Sequence, residues 1–348
     1  MFSEPAHAEA EQMYNFNEEE YRGNLTRQIA AFGEGFKLAE TIHNDGYGNI
    51  FFVAVGGTIA MMMHFEEMAK QMTSIPVYTV QAGELVLTGH KQLSENSLVI
   101  MGSKSGDTKE TVAAAKWIKD NFGCRIASMV ISMDSPLGKL TDYQLPLVVF
   151  KGVEYEYLSV FGLFYGLLHF HGDFPHIDAF QKQLDVLPDM LVSAQTRFDA
   201  EASSIAEKYY KSPYLMWIGG GELWGEIYLF SMCILEEMQW IRTKAVKTSE
   251  FFHGTLELVD ENTDIFLVKS VGACRPIDER AERFLNEYGK NVVIIDVLDY
   301  MEGIGEEFLP LLAPIFSTAL LNGRLSRYFE KNTGHSLDIR RYYRQFEY

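Results

Sequence analysis

The chain has 348 residues, 47% of them hydrophobic, and its 30 basic and 48 acidic residues give a formal net charge of −18. This length predicts about two domains, because one hydrophobic core seldom grows beyond ~250–300 residues. The acidic balance argues against nucleic acid or an anionic membrane surface as a partner.

The first half of the chain alternates short apolar strands with helices. A helix is predicted near residues 24–45, followed by the strand NIFFVAVGG and a helix that begins at Thr58. Next come PVYTV, the strand SLVIM, a helix from Thr108 to Gly123 and the strand RIASMVIS. The apolar segment LPLVVF and an apolar helix near 155–170 follow. This alternation is typical of a parallel sheet covered by helices on both faces.

The second half repeats this pattern after polar helical sequence at roughly 176–210. YLMWIGGG leads into the helix ELWGEIYLFSMCILEEMQWIR, and AVKTSEF, DIFLVKSVG, a helix near 277–289, NVVIIDV and a final helical stretch follow. The repeat predicts an α/β protein with two subdomains, each an open parallel sheet flanked by helices. The predicted boundaries are 24–172 for the first subdomain, 173–205 for a helical connector, and 206–348 for the second subdomain with a C-terminal tail.

Hydroxyl side chains surround a glycine directly after the strand SLVIM, in the sequence SKSGDT. This loop is predicted at the amino end of a helix, where free backbone amides and the helix dipole favour an anion. We expect Thr108 to cap the helix, and Ser103, Ser105 and Thr108 to bind a phosphate. A nucleotide P-loop is excluded because GxxxxGK[ST] is absent. The alternative is a plain polar turn, but Gly57 and Thr58, which end another strand, favour a shared crevice.

The helix after Gly221 carries carboxylates on its apolar face. At 3.6 residues per turn, Glu226 and Glu237 fall on the apolar stripe, whereas Glu236 points away. A carboxylate on such a face must be paired or have a raised pKa, because desolvation disfavours its charge, and a raised pKa makes a glutamate a useful base near neutrality. The alternative is a glutamate satisfied by an arginine or by backbone amides. His253 follows in SEFFHGTLEL, and a single histidine is more often structural than catalytic.

These motifs resemble the sugar isomerase (SIS) domain family, whose members bind phosphosugars. The resemblance rests on GGT after the first strand, on SKSGDT and on the two similar halves, and it extends from about residue 25 to the end. It implies contacts of the sugar phosphate with Ser103, the Lys104 backbone amide, Ser105 and Thr108, and a substrate contact at Gly57 and Thr58.

The segment EEMQWIRTKAVKTSEFFHGTLEL resembles the catalytic segment of glucosamine-6-phosphate synthase, and still more that of fructosamine-6-phosphate deglycases. RRYYRQFEY also resembles the deglycase C-terminus. The resemblance implies that Glu237 and His253 transfer protons and that the histidine reaches the active site across a homodimer interface. The chain lacks the synthase's glutaminase domain, and its last lysine is Lys331. A Schiff base with a lysine of the tail is therefore not expected.

The resemblance implies a deglycase that splits a ketosamine 6-phosphate, such as fructoselysine 6-phosphate, into glucose 6-phosphate and a free amino acid. Two alternative enzymes are an aldose–ketose phosphosugar isomerase and a glucosamine-6-phosphate deaminase-like enzyme. A non-catalytic phosphosugar sensor is the alternative from another class, but no helix-turn-helix segment is evident.

The expected partners are a small phosphosugar–amine substrate and a second copy of the chain, with no nucleic acid and no membrane. No metal or other cofactor is expected, because no His, Cys or Asp cluster has ligand spacing. Three scattered cysteines and an N-terminus without a signal-peptide pattern favour the cytoplasm.

Overall fold

The structure is a computed structural model that describes residues 13–347. Within these residues, strands form two sheets, one in each half of the chain. The first half has β1 (Asn49–Ala54), β2 (Val77–Gln81), β3 (Ser97–Gly102), β4 (Arg125–Met129) and β5 (Tyr143–Gln144). The second half has β6 (Leu215–Gly219), β7 (Thr243–Lys247), β8 (Asp264–Lys269) and β9 (Asn291–Asp296).

Helices cover both sheets. The first half contains α1 (Glu18–Ala30), α2 (Phe32–Asp45), α3 (Gly56–Met72), α4 (Ala82–Thr88), α5 (Lys109–Asn121) and α6 (Val153–His171). The longest helix, α7 (Ile177–Tyr209), comes between the two sheets in the chain. The second half contains α8 (Trp224–Tyr228), α9 (Glu237–Gln239), α10 (Thr248–Phe251), α11 (Arg275–Tyr288), α12 (Leu309–Leu320) and α13 (Ser326–Thr333), with π-helical turns at Leu229–Glu236 and Leu321–Leu325.

The two sheets share the same order of four strands, to which the first sheet adds a fifth, and this confirms the predicted fold class. The strand order is β2-β1-β3-β4-β5 in the first sheet and β7-β6-β8-β9 in the second. All strand pairs are parallel. The central strands β1, β3 and β6 are buried along their whole length, as near-continuous apolar sequence predicts for a sheet covered on both faces.

The first half departs from a simple alternation of strands and helices in two segments. The helix predicted near 24–45 is divided into α1 and α2 at Ala31. The apolar segment LPLVVF, residues 145–150, forms no strand. The side chain of Gln28 binds its backbone instead: Nε2 donates to the Pro146 carbonyl at 2.6 Å, and Oε1 accepts from the Val148 amide at 2.9 Å. These backbone groups are thereby satisfied without a sheet ladder.

The helix α7 is part of the hydrophobic core rather than a free linker. Its Leu184, Leu191 and Phe198 are fully buried and belong to the same core cluster as Phe52 of the first sheet and Trp217 of the second. The predicted connector 173–205 falls largely within this helix. The subdomain boundaries themselves stay a prediction.

One continuous helical stretch of the described residues, Glu306–Thr333, is long and apolar enough to cross a membrane by length and composition. In its most apolar window, 78% of the residues are buried inside the protein. Leu312, Phe316 and Leu320 of this stretch lie in the main core cluster. Because a buried core helix passes the same test, this is weak evidence for a membrane span. The expectation of no membrane association stays a prediction.

Candidate active site

The loops that follow β1 and β3 meet at the carboxyl edge of the first sheet. β1 and β3 are neighbours in register, with Val53 opposite Met101. A Cβ atom on Gly102 would lie 2.3 Å from Cγ2 of Thr58, so the two loops approach this closely only because residue 102 is glycine. Gly57 in turn lies against the second half of the chain, since a Cβ there would lie 3.8 Å from Sγ of Cys233.

These loops line a cavity of about 630 Å³ between the two halves of the chain. Most of the residues singled out in the sequence line it, namely Gly57, Thr58, Ser103, Lys104, Ser105, Thr108 and Glu237. Val153 and Glu156 at the start of α6 also line it. So do Tyr343 and Arg344 of the C-terminal segment, which comprises residues 334–347 after α13. The structure thus brings together residues that lie far apart in the sequence.

His253 is not among the residues that line this cavity. It is exposed just after α10, where its backbone amide donates to the Glu250 carbonyl at 3.0 Å. Within a single chain, therefore, the histidine is not brought together with Glu237.

The hydroxyl loop is held by its own hydrogen bonds. The Ser103 and Thr108 hydroxyls are 2.8 Å apart, and the Gly106 amide donates to Ser103 Oγ at 3.1 Å. Gly106 has a φ of 70°, which its lack of a side chain permits. Thr108 is at the N-cap position of α5, but the expected side-chain cap is wrong, because its hydroxyl bonds to Ser103 rather than to a helix amide. The amides of the first turn are left without a side-chain acceptor, as an anion site requires.

An ion pair between a partly exposed lysine and a buried glutamate borders the same loop. Nζ of Lys104 lies 2.6 Å from Oε1 of Glu156, whose side chain is only 5% exposed. The lysine neutralises a carboxylate that would otherwise repel an anion in this cavity. Sequence analysis assigned only the backbone amide of Lys104 and missed Glu156. The available signal was a glutamate near the start of an otherwise apolar helix.

Glu237 is paired with an arginine of the C-terminal segment. Its Oε1 lies 2.6 Å from Nε of Arg340, and the Glu237 side chain is 30% exposed. The arginine also donates to the carbonyls of Leu337 and Ile339, which fixes its position. Of the alternatives that the sequence left open, the structure therefore has the glutamate satisfied by an arginine. Its neighbour Glu236 is exposed and accepts a hydrogen bond from Thr243.

Glu226 of this helix is a fully buried carboxylate, only 1% exposed. It accepts a hydrogen bond from the Tyr157 hydroxyl at 2.7 Å. Burial raises its pKa to about 8, although the Tyr157 hydrogen bond opposes the shift. Glu226 does not line the cavity.

A π-helical segment separates these two glutamates. The predicted continuous helix is broken into α8, a π-helix over Leu229–Glu236 and the short α9. A π-turn is wider than an α-turn, so residues after it are rotated from the positions that a 3.6-residue period predicts. This accounts for Glu226 being buried and Glu237 being partly exposed, although the helical period placed both on one stripe.

The C-terminal segment lines the cavity and contacts the hydroxyl loop. Nη2 of Arg344 donates to Ser105 Oγ at 3.2 Å and pairs with Asp107 at 2.9 Å. The Ser105 hydroxyl, followed by the charge of Arg344, lowers the pKa of Asp107. Lys109 pairs with Glu347 at 3.1 Å. Sequence analysis found no role for these tail residues.

Among residues 13–347, no group of three or more His, Cys, Asp or Glu is placed to hold a metal ion. The cavity instead offers hydroxyls, backbone amides and the carboxylate of Glu237, which Arg340 pairs with from outside the cavity lining. This chemistry suits an anionic ligand at one end and proton transfer at the other.

Comparisons with known proteins agree with this arrangement. The SIS domain family matches residues 46–159. The fructosamine deglycase FrlB of Bacillus subtilis is 30% identical over 93% of this chain and 98% of its own length. The fructoselysine 6-phosphate deglycase of Escherichia coli is 22% identical over 84% of this chain and 85% of its own length. The crystal structure of a Bacillus subtilis protein described as a phosphosugar isomerase superposes on this chain with a TM-score of 0.81. The two sequences are 26% identical, and the superposition covers 95% of this chain and 100% of that one.

Proposed function

This chain belongs to the SIS domain family and is an enzyme of the phosphosugar isomerase-like kind, and on that premise we propose that it is a deglycase. Its substrate is a phosphorylated ketosamine of the fructosamine type, and its products are glucose 6-phosphate and a free amino acid. The observation that carries the proposal is the position of Glu237, which lines the same cavity as the hydroxyl loop that suits a phosphate.

In this proposal the sugar phosphate binds Ser103, the Lys104 amide, Ser105 and Thr108, with Gly57 and Thr58 beside the sugar. The loop suits an anion because its helix amides have no side-chain cap, and because Lys104 offsets the negative charge of Glu156 beside it. Tight anchoring of the phosphate positions the carbons at the opposite end of the substrate toward Glu237.

His253 then assists ring opening as an acid and base, and Glu237 removes a proton from C1 of the open ketosamine. The resulting enaminol is reprotonated at C2, which gives an aldose imine. Water adds to this imine, and the C1–N bond breaks to release the aldose phosphate and the amine. The transfers balance without an oxidant or a reductant, so the chemistry needs only positioned acids and bases.

The proposal requires a second copy of the chain, because His253 does not line the cavity of its own chain. Its exposed position leaves it accessible to a neighbouring subunit. The proposed mechanism therefore includes a homodimer in which each active site takes residues from both chains. A cytoplasmic location likewise stays a prediction.

The experiment incubates the enzyme with several fructosamine 6-phosphates and measures both the released amino acid and glucose 6-phosphate. Equal amounts of the two products are expected. The runner-up, a phosphosugar isomerase, predicts interconversion of fructose 6-phosphate and glucose 6-phosphate with no release of amino acid. Tight binding of sugar phosphates without turnover of any ketosamine would favour the sensor instead.

A further inference from the structure

A second and larger cavity lies on the other side of Glu237. Its volume is about 1130 Å³, and it shares Glu237 and Tyr343 with the cavity described above. None of the residues of the hydroxyl loop lines it. The order along the molecule is thus the hydroxyl loop, then Glu237, then the second cavity. A substrate held by its 6-phosphate and reacting at C1 would direct its amine substituent into this second cavity.

The walls of the second cavity are mainly aromatic and basic, and they also include the carboxylates of Glu236 and Glu237. Trp240, Tyr342 and Tyr343 line it, together with Arg242, Arg340 and Arg341. Such a concentration of arginines is notable in a chain with a net charge of −18. Because the three arginines outnumber the two carboxylates, an anionic group complements the charge of this wall.

Two of the three arginines have no acidic partner. Arg340 is paired with Glu237. In contrast, the part of the chain that the structure describes contains no carboxylate within ion-pair distance of Arg242 or Arg341. Both are exposed to the cavity and can therefore receive a carboxylate from a ligand.

Trp240 holds one of these arginines in place. The Arg341 guanidinium lies 4.2 Å from the centre of the indole ring, and the His335 ring lies 4.1 Å from it. Trp240 has a φ of 59°, a conformation that costs energy for a bulky side chain. Trp240 is nevertheless 41% exposed. A strained and exposed tryptophan that carries an arginine is typical of a binding surface rather than of a core.

We propose that the second cavity binds the amine half of the substrate and that Arg341 and Arg242 bind its carboxylate. The substrate class is then a ketosamine 6-phosphate made from an amino acid with a free carboxylate, and Arg341 and Arg242 determine this specificity. The inference rests on the proposed function, because it assumes that a ketosamine reacts at Glu237.

The test compares three substrates that differ only in the amine half: the 6-phosphofructosyl conjugates of valine, of valine amide and of isobutylamine. For the wild-type enzyme we expect KM for the valine conjugate to be about tenfold lower than for the other two, since a partly exposed charged pair contributes modestly. The kcat values should differ much less, because the carboxylate takes no part in proton transfer.

The variants Arg341→Ala, Arg242→Ala and the double variant should lose this preference while they keep their KM for the isobutylamine conjugate. Arg283→Ala removes an exposed arginine of α11 and serves as the matched control, which should keep the preference. Melting temperatures establish that all variants are folded.

The outcomes separate this inference from the proposed function. Equal KM values for the three conjugates, or a preference that survives in the double variant, would overturn the carboxylate site and leave the deglycase activity standing. If the wild-type enzyme releases no amine from any of the three, the proposed function itself fails. Loss of preference in the Arg283 control would overturn the assignment to the second cavity.

Discussion

The carboxylate of Glu237 lies 2.6 Å from the guanidinium Nε of Arg340, a residue that follows it by 103 positions in the chain. This contact joins the helix of the second subdomain to the C-terminal segment. A few residues further, Arg344 joins the same segment to the hydroxyl loop through Ser105 and Asp107. The tail thus connects both ends of the cavity, and its position affects the proposed base and the proposed phosphate site together.

Replacing Glu237 with glutamine should lower kcat at least 100-fold, because general base catalysis typically contributes 10²–10⁴-fold. Glutamine keeps the size of the side chain and can still accept a hydrogen bond from Arg340. Binding of glucose 6-phosphate, measured by calorimetry, should therefore change little. Glu207→Gln, an exposed glutamate of α7, is the control and should retain full activity. A Glu237→Gln enzyme with more than about a tenth of wild-type activity would refute the assignment of the base.

Replacing Ser105 with alanine or Thr108 with valine should raise KM about tenfold for the phosphorylated substrate, because each change removes a hydroxyl donor to a charged phosphate. The kcat value should be affected less, since neither hydroxyl reaches the reacting carbons. Steady-state kinetics with Ser204→Ala as control, an exposed serine of α7, tests this. Unchanged KM values in both variants would show that the substrate phosphate does not bind to this loop.

Mixing the inactive variants Glu237→Gln and His253→Ala should restore activity if each site takes its glutamate from one chain and its histidine from another. Random exchange of subunits gives heterodimers with one intact site, so about a quarter of wild-type activity is expected. The mixture is dissociated in mild denaturant, refolded together and compared with each variant refolded alone. If activity does not return although dimers form, both residues act within one chain or the histidine is not catalytic.

Replacing Gly225 with alanine should destabilise the protein by about 1–3 kcal/mol, because the new methyl group overlaps a neighbouring helix. A Cβ atom there would lie 2.1 Å from the carbonyl oxygen of Ala60, where α8 crosses α3. Gly23→Ala is the matched control. A Cβ at Gly23 meets nothing within 4 Å, so alanine within α1 should stabilise the protein by about 0.5–1 kcal/mol. Equal melting temperatures for the two variants would contradict the close crossing.

Replacing Glu226 with glutamine should change how stability depends on pH. Burial disfavours the charged form of Glu226 and raises its pKa in the folded protein to about 8, above the ordinary value of 4.5. Between these two pH values the unfolded chain loses this proton more readily than the folded one, so the wild type loses stability as pH rises. Glutamine does not titrate and can still accept the Tyr157 hydrogen bond.

The free energy of unfolding of Glu226→Gln, relative to that of the wild type, should therefore increase from about pH 5 to about pH 8. Urea denaturation at several pH values measures this difference, and Glu257→Gln, an exposed glutamate, should show no such trend. A constant difference across the range would mean that Glu226 is ionised in the folded protein.

The strand and loop pattern could be predicted from the sequence because it depends on local chemistry. In a parallel sheet, the glycine and hydroxyl residues that directly follow apolar strands lie at the carboxyl edge of the sheet. Ser103, Thr108, Gly57 and Thr58 consequently line one cavity, as expected. Glu237 was singled out by helical period, although a π-helix separates it from the other glutamate of its stripe.

Other features of the site could not be found in this way. The hydrogen bond of Thr108 to Ser103 rather than to its helix depends on side-chain geometry within the loop. The ion pair of Lys104 with Glu156 joins a loop to the start of α6. The composition of α6 indicated only an apolar core helix. LPLVVF has the composition of a strand, but its backbone forms hydrogen bonds with the side chain of Gln28 instead of with a neighbouring strand.

By itself, the amino-acid sequence determined the repeated α/β pattern and the hydroxyl loop, because periodicity, turn residues and helix ends act over a few neighbouring residues. Only the tertiary structure decided that the C-terminal arginines lie against Glu237 and the hydroxyl loop, and that a second basic cavity adjoins the first. Contacts between residues more than a hundred positions apart depend on how the two halves and the tail pack together. A pattern of a few neighbouring residues cannot predict which of these distant residues come into contact.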